Sequence, residues 1–243
     1  MESNKGPNLV GVIHFGLEEA LDTIRTLERA GLKDGDTVTV ENTQLDNDSV
    51  LENLKNGKAR DLLELENLEL KKLEHQIRKT KDRQTFEKLF KEIELQKSVI
   101  GNLEFNFQLY SYFSIKHIRV VGLESPKIRR LLEKKGQESS KDPKLEYKTE
   151  IIRMAAREAD WIKKLSGIRT DFVLVGCGHV KGLKNKFKWN SVTFSSPNSE
   201  ALSKRIWKEY KWTDLRYKIY KGWKKTKRIM GKNINFRKKA AAR

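Results

Sequence analysis

The chain has 243 residues, 35% charged and 37% hydrophobic, room for one sizeable core plus an appendage or for two small domains. Its apolar runs argue against disorder throughout, and its single cysteine, Cys177, excludes an intrachain disulfide and a cysteine-based zinc site. The net charge of +18 is uneven: residues 201–243 hold 16 Lys and Arg against 2 Asp and Glu, a net of +14, while residues 1–200 hold 35 against 31, so the basic character belongs to a tail.

Met1-Glu2-Ser3-Asn4-Lys5 carries no apolar signal core, and no apolar run reaches about 18 residues. The expectation is a cytoplasmic, non-spanning protein. Asn8 to Phe15 reads as a first strand. Leu17, Ala20, Leu21, Ile24 and Leu27 then recur at helical spacing over 17–30, with Gly31 just past the helix end. Lys33-Asp34-Gly35-Asp36 is a turn, and Thr37 to Val40 is a β-rich run ending at Glu41. Strand, helix, strand is the parallel crossover unit.

Residues 49–112 lack proline and show heptad-like spacing. Ala59, Leu63, Leu70, Leu73 and Ile77 form one stripe, interrupted by Glu66. Phe86, Leu89, Ile93, Ile100, Leu103 and Phe107 form another, interrupted by Gln96. These predict a helical hairpin inserted into the sheet-forming chain, with the turn between Lys79 and Gln84; one long helix is the alternative. Such stripes serve packing on the core, homo-oligomerisation or a lid.

Ile115 to Leu123 reads as a third strand ending at Glu124-Ser125-Pro126. A short basic helix over 127–135 and a loop over 136–144 follow. A helix over 145–165 has Ile151, Ile152, Ala155, Ala159 and Ile162 facing inward. Arg169 to Val175 lead into a fourth strand, Trp189 to Phe194 form a further one, and Ser199 caps a helix from near Glu200. The fold class is α/β: a mainly parallel sheet flanked by helices, with an inserted helical hairpin and a basic C-terminal helical extension.

Two apolar runs end in Gly-x-x-His, at Gly11 to His14 and at Gly176 to His179. Ligands of open α/β sheets sit at the carboxyl ends of the strands, and four polar candidates end four predicted strands: His14, Glu41, Glu124 and His179. Two imidazoles and two carboxylates suit a divalent transition metal with open positions for water and substrate. Without a metal, one histidine acts as general base and a carboxylate orients it. His75 and His117 have no such setting.

The segment GVIHFGLEEALDTIRTLERAGLKDGDTVTVEN resembles the opening of the TraB/PrgY family, a strand ending in Gly-x-x-His, a helix, and a second strand ending in Val-x-Val-Glu. The segment TEIIRMAAREADWIKKLSGIRTDFVLVGCGHVKGL resembles its closing motif, a helix with Arg followed by a strand ending in Val-Gly-x-Gly-His-Val-x-Gly. Related elements run through the Tiki protease, erythromycin esterase and ChaN-like superfamily, whose activities span metal-dependent peptide cleavage, ester hydrolysis and haem binding. The resemblance covers about residues 8–42 and 145–184. It implies a TraB/ChaN-like α/β domain over 1–200 with a helical insertion over about 49–112, and an extension over 201–243. It implies site positions at His14, Glu41, Glu124, Arg153 and His179, with His14, His179 and Glu41 as ligands of a divalent ion (Mn, Zn or Co) and Arg153, or its neighbour Arg157, as the fixed positive charge for a carboxylate or oxyanion. Gly178 and Gly182 allow close backbone approach around the histidine. The family's Arg shortly after the strand-end Glu is absent, since Asn42-Thr43-Gln44-Leu45 follow Glu41.

In the tail, Ile206, Trp207, Tyr210, Leu215, Tyr217, Ile219, Tyr220, Trp223 and Ile229 lie among Lys and Arg. That pattern suits docking on the core, nucleic acid or an anionic membrane surface. The expected function is a TraB/Tiki-like hydrolase of a peptide or ester. The alternative is a non-catalytic binding protein whose tail takes nucleic acid or an anionic membrane surface.

Overall fold

Five strands, β1 (Asn8–Val12), β2 (Thr37–Val40), β3 (Arg119–Gly122), β4 (Phe172–Gly176) and β5 (Ser191–Phe194), pair in parallel in the order β3-β2-β4-β1-β5. The computed structural model describes residues 6–139, 154, 156–184, 187 and 189–209. Both sheet faces are covered, which is why the strands read as near-continuous apolar runs. Alternate residues divide between two cores. Val10, Val12, Val38, Val40 and Leu174 face one, with Phe105, Leu109, Tyr110 and Phe113. Leu9, Val173 and Val175 face the other, with Trp161, Leu165 and Leu183.

Helix α1 (Gly16–Arg29) buries Ala20, Thr23, Ile24 and Leu27. It stops at Gly31, whose φ of +91° only glycine adopts readily, while Leu32 N–H donates to the Leu27 carbonyl at 3.0 Å.

The insertion starts earlier than the stripes suggest. Helix α2 (Gln44–Lys55) opens with a capping box between Thr43 and Asp46 and breaks at Gly57, φ +70°. Helices α3 (Lys58–Lys79) and α4 (Arg83–Ile115) then form the predicted hairpin. Asp82 caps α4 by accepting from Thr85 N–H at 2.7 Å, and Thr80 to Asp82 make the turn, so the single long helix does not form. The residues that interrupt the two stripes meet: the Gln96 amide donates to the Glu66 carbonyl at 3.0 Å and to its carboxylate at 2.5 Å. Phe86, expected in the packed stripe, is 45% exposed and stacks on Phe90; it lies in the first turn of α4, at the tip of the hairpin beside the connecting turn.

Helix α4 also takes in Ile115, the expected first residue of the third strand, with β3 beginning only at Arg119. Its last turns bury Leu109, Tyr110 and Phe113 under the sheet, which holds the helical period. His117, φ +51°, then turns the chain into β3. Helix α5 (Pro126–Ser139) extends over 136–139, expected as loop; one interior glycine, here Gly136, costs a helix only about 1 kcal/mol. The rest of that loop and Ile151, Ile152 and Ala155 lie outside the described residues. Helix α6, described over 156–165, buries Trp161 and Leu165 rather than Ala159, which is exposed. Trp161 and Leu165 are one turn apart and set the inward face.

Helix α7 (Val180–Lys184) follows β4 directly. Helix α8, residues 197–209, begins three residues before the expected start. Its cap is Ser196, not Ser199: Ser199 N–H donates to Ser196 Oγ at 3.1 Å and Ser196 N–H to Ser199 Oγ at 3.0 Å. Pro197 takes the first helical position, where no N–H is needed. α8 spans the expected boundary at 200, and its Trp207 indole donates to the Gly178 carbonyl at 3.0 Å. Tyr210 and all later aromatics lie outside the described residues. No helix among the described residues is long and apolar enough to cross a membrane.

Candidate functional site

Parallel pairing brings the carboxyl ends of all five strands to one edge. β1 and β4 are neighbours, with Val12 opposite Gly176, so the two Gly-x-x-His turns leave the sheet side by side. β2 lies on the far side of β4 and pairs with β3, Val40 opposite Gly122. His14, Glu41, Glu124 and His179 thus emerge along a single edge.

Glu41 is the centre of the arrangement. Its Oε2 accepts from the Gly176 N–H at 2.6 Å. Its Oε1 lies 3.5 Å from His14 Nε2 and 3.9 Å from Arg157 Nη2. The side chain is 15% exposed. Burial pushes its carboxyl upward, but the His14 charge and hydrogen bond, then His179 and Arg157, outweigh that and hold it well below the usual carboxylate range. Glu41 is therefore an anion in the folded protein. Gly176 permits the contact, since a Cβ there would stand 3.2 Å from Glu41 Oε2.

His14 packs its ring edge-on to Phe105, centroids 5.1 Å apart. Its Nε2 is shielded from solvent and faces Glu41 Oε1 at 3.5 Å, at the long limit of a hydrogen bond.

Arg157 projects from α6 into the same edge. Its Nε and Nη2 donate to Glu124 Oε2 at 2.9 and 2.5 Å, and its guanidinium lies 4.9 Å from the centroid of the Trp161 ring. The Glu124 side chain is only 8% exposed, so this is a nearly buried charge pair. His179 is held from the same helix: its Nδ1 lies 3.1 Å from Glu158 Oε1, and its ring meets Trp161 edge-on at 4.7 Å. Gly182 makes room for that carboxylate, because a Cβ there would fall 2.1 Å from Glu158 Oε2. Gly178 has only ordinary clearance, 3.5 Å to Ile206.

The structure therefore gathers His14, Glu41, Glu124 and His179 at one edge, together with Arg157. Arg153 lies outside the described residues, and its expected alternative, Arg157, is the guanidinium at the edge, paired with Glu124. Glu158 and Trp161 were not singled out from the sequence. A glutamate beside an arginine on a charged helix reads as a surface ion pair; the signal that distinguishes it is Gly182, a small residue one turn past the histidine. Among the described residues, no three His, Cys, Asp or Glu side chains cluster as metal ligands. Glu41 is shared among Gly176, His14 and Arg157, Glu124 is taken by Arg157, and His179 Nδ1 by Glu158. His75 is exposed on α3 and His117 sits in the turn before β3. Cys177 is buried, and burial, with Glu19 and Glu41 nearby, pushes its thiol up to about 11.

No protein-family model, curated protein or solved structure matches the chain.

Proposed function

We propose that the strand-end edge is the active site of a TraB/Tiki-like hydrolase that cleaves a peptide or ester by acid–base catalysis. The observation that supports this most is the His14–Glu41 pair. It couples an imidazole to a buried carboxylate that stays ionised, with a guanidinium 3.9 Å from the same carboxylate.

In this reading Glu41 orients His14 and stabilises the imidazolium that forms when it takes a proton from water. The water oxygen adds to the carbonyl carbon, and the charge that develops on the carbonyl oxygen is met by Arg157. The imidazolium then returns its proton to the departing amine or alcohol. Glu124 fixes Arg157 through two hydrogen bonds, and Glu158 fixes the His179 ring. A carboxylate behind an imidazole also supports metal-binding histidines, but His14, His179 and Glu41, the expected ligands, do not cluster as a ligand set among the described residues, so an ion would require them to move together. No step above depends on one.

The test is turnover of a panel of ester and peptide substrates, with and without added Mn²⁺ or Zn²⁺. Hydrolysis that His14→Ala and Glu41→Gln both abolish supports the assignment. Hydrolysis that appears only with added metal, and is lost in His14→Ala plus His179→Ala, moves the mechanism to the metal-bound form. Absence of turnover dependent on either histidine leaves the binding reading, which the net charge of +14 over residues 201–243 favours.

A further inference from the structure

A second concave site lies beside the strand-end edge, on the β5 side, where Val180 follows His179 and Phe194 ends β5. Helices α7 and α8 and the edge strand β5 enclose an open cleft of about 580 Å³, within the range that takes a small organic ligand, roughly 300–1,000 Å³. Its floor is apolar, with Phe194 and Trp207 the largest side chains, and four lysines line it: Lys181, Lys184, Lys204 and Lys208. It shares no residue with the His14, Glu41 and Arg157 constellation.

The charges are placed against their own interest. Lys181 and Lys184 are three apart on α7, and Lys204 and Lys208 four apart on α8, spacings at which like charges on one helix repel. The two helices direct both pairs toward one cleft. No carboxylate among the described residues lines it. Lys204 pairs with Glu200 at 2.7 Å at the exposed surface, and Lys181 sits 5.2 Å over the Trp207 ring. Converging cations over an apolar floor raise the local positive potential and repel one another until an anion enters.

We propose that this cleft binds a soluble organic anion with an apolar body, its carboxylate or phosphate held by Lys181, Lys184 and Lys208 and its body seated on Phe194 and Trp207. The apolar floor separates this from simple attraction of a polyanion, which needs the lysines alone. Trp207 is held in place by its hydrogen bond to the Gly178 carbonyl, so the floor is formed before the ligand arrives, which lowers the ordering cost of binding.

The test is calorimetric titration of the full chain with four soluble probes, 1-naphthyl phosphate, decanoate, 1-naphthol and inorganic phosphate, and with vesicles of anionic phospholipid. Each is repeated on the Lys181→Gln/Lys184→Gln/Lys208→Gln variant, whose substituted side chains are exposed and whose melting curve checks that it folds. Naphthyl phosphate or decanoate should bind at one site per chain. The triple variant should weaken that binding by at least about tenfold, and the two stripped probes should bind at least about tenfold more weakly to the unaltered chain. Equal affinity for naphthyl phosphate in the triple variant would overturn the proposal, because the remaining basic residues would then account for it. So would equal affinity for inorganic phosphate, or no binding of either amphiphile. Binding of anionic phospholipid vesicles through the same lysines, with neither soluble amphiphile bound, would assign the cleft to a membrane surface and refute a free ligand.

Discussion

Replacing Arg157 with methionine tests the electrostatic account of the site in a way that burial alone does not mimic. Methionine keeps much of the apolar stem but removes the charge that faces Glu124 at 2.5 Å and Glu41 at 3.9 Å. The side chains of Glu124 and Glu41 are 8% and 15% exposed, so the variant leaves carboxylates short of a counter-charge away from water. Breaking a buried pair from one side costs about 3–5 kcal/mol; with the Arg157 side chain 25% exposed, the lower end, about 3 kcal/mol, is expected. The sign of the pH dependence follows. In the unaltered protein Glu41 is held below its ordinary value of 4.5, so its stabilisation is present above that value and is lost as pH falls toward its folded-state value. Glu41 keeps His14 and His179, which lower its carboxyl more than Arg157 does, so the deficit comes mainly from the broken Glu124–Arg157 pair; it is largest at neutral pH, where both partners of that pair are charged, and shrinks as protons are taken up. Urea unfolding followed by far-ultraviolet circular dichroism, at neutral pH and near pH ~5, reads this directly. Adding Glu124→Gln to Arg157→Met should recover most of the loss at neutral pH, since it removes the stranded charge. An equal deficit at both pH values, or no recovery in the double variant, would refute the reasoning.

Further expectations test other parts of the molecule. Trp161 is fully buried between Arg157 and His179, so Trp161→Ala should lower unfolding stability by about 3–5 kcal/mol in denaturant titration. Gly182→Ala places a methyl 2.1 Å from Glu158 Oε2; it should cut hydrolytic turnover as deeply as Glu158→Gln, and turnover unchanged by either would remove Glu158 as the positioning residue of His179. Cys177, its thiol raised to about 11, should resist a thiol-specific reagent at about pH 8 until the chain unfolds; rapid labelling of the native protein would contradict its burial. Glu66→Leu with Gln96→Leu joins the two interrupted apolar stripes and should raise stability by about 1 kcal/mol or more, whereas Gln96→Leu alone should gain less because it strands Glu66.

The sheet was legible because buried parallel strands are short apolar runs, and four of the five stop at a glycine or at a polar strand-end residue. The insertion was legible as two stripes. What periodicity does not carry is where a helix stops once tertiary packing takes over. α4 continued through Ile115 because Tyr110 and Phe113 are buried beneath the sheet, and α8 started at Pro197 because Ser196 and Ser199 cap each other. The strand-end residues were readable from position alone, since parallel pairing puts every strand end on one edge. Glu158 was not. Its partner is a histidine 21 residues later, and nothing in local spacing links a helix glutamate to a strand-end imidazole. The joined interruption at Glu66 and Gln96 illustrates the same limit: each looks like a flaw in its own helix, and only the hairpin makes them a pair.

The central claim is that the His14–Glu41 pair performs chemistry. The most direct measurement is the steady-state hydrolysis rate of the best ester or peptide from the panel, compared among the unaltered chain, His14→Ala and Glu41→Gln, with folding of each verified by its melting curve. The account predicts that loss of the general base lowers kcat by about 10²–10⁴-fold and that Glu41→Gln lowers it comparably. Turnover by folded His14→Ala equal to that of the unaltered chain would contradict it.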